Sequence, residues 1–157
     1  MSGSVSSHGF GPAAGLDGVD PDGARLLEAL AEVERPLLFE KSCKAIGSGL
    51  VSGRFLLSFP RPALGPGPSR HLRRICQQLG AGEEAIAVLD ELQSRAVSIH
   101  FGYEPEASGP RYKCYLEFAA DDRPAPDLVF VAVKWTPAQD REDAHVLTHY
   151  WARDSLR

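Results

Sequence analysis

The chain has 157 residues, 43% hydrophobic and 24% charged, a globular composition long enough to bury a core without disulfide or metal staples. Its formal charge of −4 argues against a general nucleic-acid binder, whose phosphate contacts need a basic face. Cys43, Cys76 and Cys114 are odd in number and lack CxxC spacing, which points away from a zinc ribbon or a paired extracellular scaffold and towards buried thiols in a reducing compartment.

Residues 1–19 are rich in Gly and Ser and poor in bulky apolar residues, so a flexible tail is expected there and a single domain over 20–157. Met1 to Gly18 has neither a basic n-region nor a continuous apolar h-region, and no apolar run approaches the ~20 residues of a membrane helix. A cytoplasmic location follows as the expectation, with no membrane partner.

Asp20-Pro21 supplies an N-cap followed by a proline at the first helical position, and Leu26, Leu27, Leu30 and Val33 recur at helical spacing, which predicts a helix over about 21–34. Past Pro36, Leu37, Phe39 and Cys43 alternate with Leu38, Glu40 and Ser42 as in a half-buried strand. A second strand is predicted over 54–59. Gly47 to Gly53 reads as the flexible connection between the two, since its glycine spacing and the strand after it do not suit a nucleotide loop. The proline-rich stretch Pro60 to Pro68 reads as an exposed loop.

Ser69 is placed to cap a helix whose stripe is Leu72, Ile75, Cys76 and Leu79, with Gly80 as its left-handed stop. The basic run Arg70 to Arg74 opens that helix at the end the dipole disfavours, and reads as a solvated patch or a contact for an anion. A further helix over about 83–95 starts with Glu83-Glu84 at its positive end and carries Ile86, Val88, Leu89 and Leu92.

Beyond it the period changes to two. Val97, Ile99, Phe101 and Tyr103 share one strand face, and Tyr112, Cys114, Leu116 and Phe118 share a face of the next, so the two form a hairpin across Pro105 to Pro110. Residues 128–135 are apolar on both sides except Lys134, as in a central strand. Residues 144–151 fit either a strand or a helix. His145 and His149 have metal-ligand spacing only on a helix; on a strand they stand about 13 Å apart. The element order predicts an α+β fold: a mainly antiparallel sheet of about six strands with two to three helices on one face.

Strand parity assigns the other face. Ser98, His100, Arg111, Lys113, Tyr115 and Glu117 fall on it, joined by Phe130, Ala132 and Lys134. Cations beside phenols and apolar groups suit an anionic ligand with an aromatic or hydrophobic body. Arg111, Lys113 and Lys134 would clamp the charge, Phe130 would line the organic part, and His100 and Tyr115 would orient it or exchange protons. The plainer expectation is a wet sheet face with weak cross-strand ion pairs. No metal and no cofactor is called for. The partners anticipated are an anionic small molecule or another protein docking by strand addition, including a second copy of the chain.

The strand Arg111-Tyr-Lys113-Cys-Tyr115, after its hairpin partner SIHFGYE, resembles the Arg-x-Lys-x-Tyr strand of the ABBA aromatic prenyltransferases. That resemblance covers one hairpin. It implies that Arg111, Lys113 and Tyr115 grip a prenyl diphosphate. Members of that family are about twice as long and close ten strands into a barrel, so the six or so strands expected here exclude that complete barrel for a monomer.

Overall fold

The computed structural model describes residues 18–34, 37–137 and 145–152; the predicted tail lies outside them except for Gly18 and Val19. The elements in chain order are α1 (Pro21–Ala29), β1 (Leu38–Ile46), β2 (Gly49–Pro60), α2 (Pro68–Gln78), α3 (Glu83–Leu92), β3 (Ala96–Glu104), β4 (Arg111–Phe118), β5 (Leu128–Trp135) and β6 (His145–Trp151). The strands form a six-stranded antiparallel sheet in sequence order, the α+β architecture that the short connections demand.

α1 begins as the sequence dictates: the Asp20 carboxylate accepts a hydrogen bond from the Gly23 amide at 2.7 Å, with Pro21 in the first turn. It is shorter than the apolar spacing predicts. After Ala29 the chain tightens into turns, Ala31 N–H bonding Glu28 O and Val33 N–H bonding Leu30 O, both at 3.1 Å, yet Leu30 and Val33 still reach the core. Gly23 packs tightly against the sheet and the chain before the helix; a Cβ there would stand 2.7 Å from Val19 Cγ1, 3.1 Å from the Phe55 ring and 3.2 Å from the Tyr103 ring.

The expected loop from Pro60 to Pro68 contains a 3₁₀ turn, Arg61–Leu64, that buries Ala63 and Leu64. The α2 cap differs from expectation: Gly67 is the N-cap with no side-chain bond, Pro68 takes the first helical position, and the Ser69 hydroxyl donates to Asp90 at 2.9 Å. Gly80 ends α2 at φ 74° as predicted. Ala81 N–H bonds Cys76 O and Gly80 N–H bonds Gln77 O, both at 3.0 Å, so the last carbonyls are satisfied.

Three single-residue events shift parity where the sequence shows none. Ser52 and Gly53 of β2 together oppose Cys43, with Gly53 at φ 79°. On β3, Val97 bulges between Ala96 and Ser98, so Ala96 enters the core and Val97 is exposed, the reverse of the expected pattern. On β5, Val129 does the same between Leu128 and Phe130. The connection between β1 and β2 is also tighter than expected, only Gly47-Ser48 with Gly47 at φ 59°, so β2 starts at Gly49 rather than 54.

One face of the sheet carries the core. Phe55, Leu57, Phe59, Ile99, Phe101, Tyr103, Tyr112, Cys114, Leu116, Val131, Val133 and Trp135 are buried beneath the helices. The polar tips that enter it are satisfied: Tyr103 Oη donates to Asp20, Tyr112 Oη to Asp22 O at 2.8 Å, and Trp135 Nε1 to Leu79 O at 3.0 Å. Burial, reinforced by the Asp20 carboxylate, pushes the Tyr103 phenol up, so it stays a donor. Cys76 and Cys114 are buried as expected, but Cys43 is exposed, on an edge strand none of whose described side chains is buried in the core. No helix among the described residues is long and apolar enough to cross a membrane.

Candidate functional site

The face away from the helices holds the residues that alternation sends there. Ser42 of β1 pairs Arg54 of β2, Leu56 pairs Gly102 of β3, Gly102 pairs Lys113 of β4, and His100 pairs Tyr115, which pairs Ala132 of β5. Because Gly102 has no side chain, the middle of this face sinks into a hollow of about 410 Å³. Arg54, Leu56, His100, Lys113, Tyr115, Phe130 and Tyr150 are prominent in its wall.

Of the side chains singled out from the sequence, His100, Lys113, Tyr115 and Phe130 meet at the hollow. Arg111 and Lys134 share the face without lining it. The Arg111 guanidinium pairs with Glu106 at 3.0 Å near the sheet end, and Lys134 extends over the Tyr150 ring, Nζ 5.9 Å from its centroid. The two cations expected to help Lys113 are therefore engaged elsewhere.

Lys113 is 8% exposed and hydrogen-bonds the Glu104 carboxylate. Two more cations reach that carboxylate, Lys44 at 3.6 Å and Arg54 at 3.5 Å. Burial alone would raise the Glu104 carboxyl, but the Lys113 hydrogen bond and the charges of Lys113, Arg54 and Lys44 outweigh it and hold the group below its ordinary value. Three cations thus share one buried carboxylate, with Glu40 at the margin of the hollow. Arg54 Nε is buried and finds no hydrogen-bond partner among the described residues; at 3.5 Å its approach to Glu104 is an ion pair only.

The other wall is aromatic. Tyr115 and Tyr150 stack obliquely with centroids 6.0 Å apart, Phe130 meets Tyr150 edge-on at 6.4 Å, and His100 meets Phe130 edge-on at 5.8 Å. Burial, helped by the neighbouring Tyr150 hydroxyl, pushes the Tyr115 phenol up to about 12. At neutral pH Tyr115 is a hydrogen-bond donor and not a base. His100 Nδ1 lies 2.8 Å from Ser58 Oγ, and its Nε2 lies 3.2 Å from Glu117 Oε2.

Arg54, Glu104, Ser58 and Tyr150 complete this surface although sequence reasoning did not select them. The signal was present for two of them: Glu104 continues the parity of His100 and Gly102, and Arg54 alternates against Phe55. What was missing was the strand order that sets β2 beside β3 and β6 beside β5.

The remaining candidates resolve locally. Residues 145–151 form a strand, so His145 and His149 stand about 13 Å apart and share no ion. His149 stacks on Trp151 with centroids 6.3 Å apart, and no cluster of three or more metal-ligating side chains exists among the described residues. Within the basic run of α2, Arg73 pairs with Glu83 at 2.8 Å and Asp90 at 2.9 Å, and Arg74 pairs with Glu32. Burial, with the Cys76 thiol beside it, pushes the Cys114 thiol well up, which removes it as a nucleophile.

No family model, curated protein or solved structure matches this chain, so these side chains and their geometry carry the functional reading.

Proposed function

We propose that the hollow binds an anionic small molecule with a flat apolar body. The observation that carries this reading is the gathering of Lys113, Arg54 and Lys44 on one buried carboxylate beside an aromatic-walled hollow, with Arg54 Nε–H lacking an acceptor among the described residues. A buried unmatched donor costs about 1–3 kcal/mol, and an anionic oxygen would recover that cost. Leu56, Phe130, Tyr115 and Tyr150 supply the apolar wall against which an aromatic or prenyl group would lie. A prenyl diphosphate, the ligand implied by the resemblance of the β4 hairpin, belongs to this class, with Lys113 and Tyr115 at the hollow and Arg111 outside it.

Isothermal titration with 1-naphthyl phosphate tests the reading. The expected result is saturable binding with Kd of about 0.1–1 mM, weaker at high salt and at least about tenfold weaker in Arg54→Met. Absence of heat at millimolar probe, or equal affinity in Arg54→Met, contradicts it.

A second reading rests on the sheet edges. On β6, Val146, Leu147 and Trp151 are exposed at 55%, 41% and 56%. The other edge strand is guarded by Glu40, Lys41 and Lys44, while β6 carries neither charge of that kind nor proline. Antiparallel pairing of two copies about Thr148 would set Val146 opposite Tyr150 and Leu147 opposite His149, with no carboxylate or lysine meeting its like. Under this reading the chain is an interaction module that joins a second copy through β6. Sedimentation velocity would then show a dimer that Leu147→Lys converts to monomer; a wild-type monomer at about 100 μM rules this reading out.

A further inference from the structure

Ser58, His100 and Glu117 lie on three adjacent strands, β2, β3 and β4, and on one face of the sheet. Their order of contact is fixed by chemistry. An ionised carboxylate only accepts hydrogen bonds, so Glu117 requires the proton on His100 Nε2, 3.2 Å away. In a neutral ring that leaves Nδ1 bare, and the Ser58 hydroxyl, at 2.8 Å, must donate to it. The Phe130 ring edge holds the imidazole from its side, and the His100 and Glu117 side chains are only 16% and 34% exposed.

We propose that Ser58 is an acyl-accepting nucleophile, with His100 as its general base and Glu117 as the positioning residue, acting on carboxylic esters whose anionic, flat portion occupies the hollow. The substrate class rests on the reading of the hollow given above; the nucleophile stands on its own geometry.

In the first step the Ser58 Oγ–carbonyl carbon bond forms as the hydroxyl proton passes to His100 Nδ1. The bond to the alkoxy oxygen then breaks, and the leaving alcohol takes that proton from His100. Water attacks the acyl-serine, His100 again accepting its proton, which returns to Ser58 as the carboxylic acid leaves.

A small alkyl fluorophosphonate reads the nucleophile directly, since Oγ displaces fluoride at phosphorus and the adduct is found by intact mass and peptide mapping. Expected is a single adduct on Ser58, absent in Ser58→Ala and formed at least about 100-fold more slowly in His100→Asn. Glu117→Gln should lower the maximal labelling rate at least about tenfold and leave the reagent concentration for half-maximal rate unchanged, the signature of a residue that orients the base and does not bind the reagent.

Circular dichroism of each variant separates loss of reactivity from loss of fold. If His100→Asn does not fold, the comparison passes to Glu117→Gln. No Ser58 adduct on folded wild type, or labelling at an unaltered rate in folded His100→Asn and Glu117→Gln, overturns the proposal. The two readings fail separately: an adduct without 1-naphthyl phosphate binding overturns the hollow alone, and binding without an adduct overturns the nucleophile alone. Where both hold, 1-naphthyl phosphate protects Ser58 from labelling.

Discussion

The two faces of one sheet are built from the same strands and differ by one residue in every two. Under the helices the ring sequence Phe55, Tyr103, Tyr112, Trp135 runs across four strands with centroids 5.4–6.3 Å apart, and each buried polar tip is bonded. On the opposite face a glycine takes the central place, three cations crowd one carboxylate, and a guanidinium N–H finds no acceptor among the described residues. Burying large apolar side chains contributes about 1.5–3 kcal/mol each on the first face. The second gains far less from packing and keeps an electrostatic mismatch, so the comparison separates the surface that stabilises the fold from the surface that has room for a ligand.

The comparison breaks most sharply at Glu104. Glu104→Ala leaves Lys113 and Arg54 mutually repelling in a shielded site and should cost about 3 kcal/mol in urea unfolding; a loss below about 0.5 kcal/mol would show that water already screens the cluster. On the helix face, Gly23→Ala tests the tightness of packing. Helix propensity alone predicts a gain of roughly 1 kcal/mol, but the Phe55 and Tyr103 rings at 3.1 and 3.2 Å from the new Cβ should turn it into a net loss of about 1 kcal/mol.

The open face should instead tolerate filling. A Cβ on Gly102 would lie 3.4 Å from Leu56 Cδ1 and 3.5 Å from Lys113 Cβ, so Gly102→Val is expected to change stability by less than about 1 kcal/mol. It should abolish 1-naphthyl phosphate binding. The smallest effect is on pH. The Glu104 carboxyl is lower in the folded chain than its unfolded value of about 4.3. Its stabilisation is therefore full above that value and lost as pH falls through the folded one, and Glu104→Gln should flatten the acid side of a melting-temperature profile below about pH 4.5.

Much of this architecture was legible in alternation. The hairpin residues His100, Lys113 and Tyr115 fell on their proper face because a two-residue rhythm persists from Ser98 to Glu104 and from Arg111 to Phe118. It failed where one extra residue enters a strand, at Gly53, Val97 and Val129, since a bulge alters register without altering composition. Cys43 illustrates another limit: parity gives the side of a sheet, whereas burial also needs a covering element, and β1 has too little of one. Arg111 and Lys134 were placed on the right side, but Glu106 and the Tyr150 ring, their local partners, decided where their charges went. Ser58 and Arg54 required the pairing of β2 with β3, a long-range fact that no local pattern contains.

The most direct measurement is an amide chemical-shift map of the chain titrated with 1-naphthyl phosphate. The account predicts saturable perturbations gathered on Arg54 to Leu56, His100 to Gly102 and Lys113 to Tyr115, and absent from Gly102→Val. Shifts scattered over the helices, or none at millimolar probe, would contradict it.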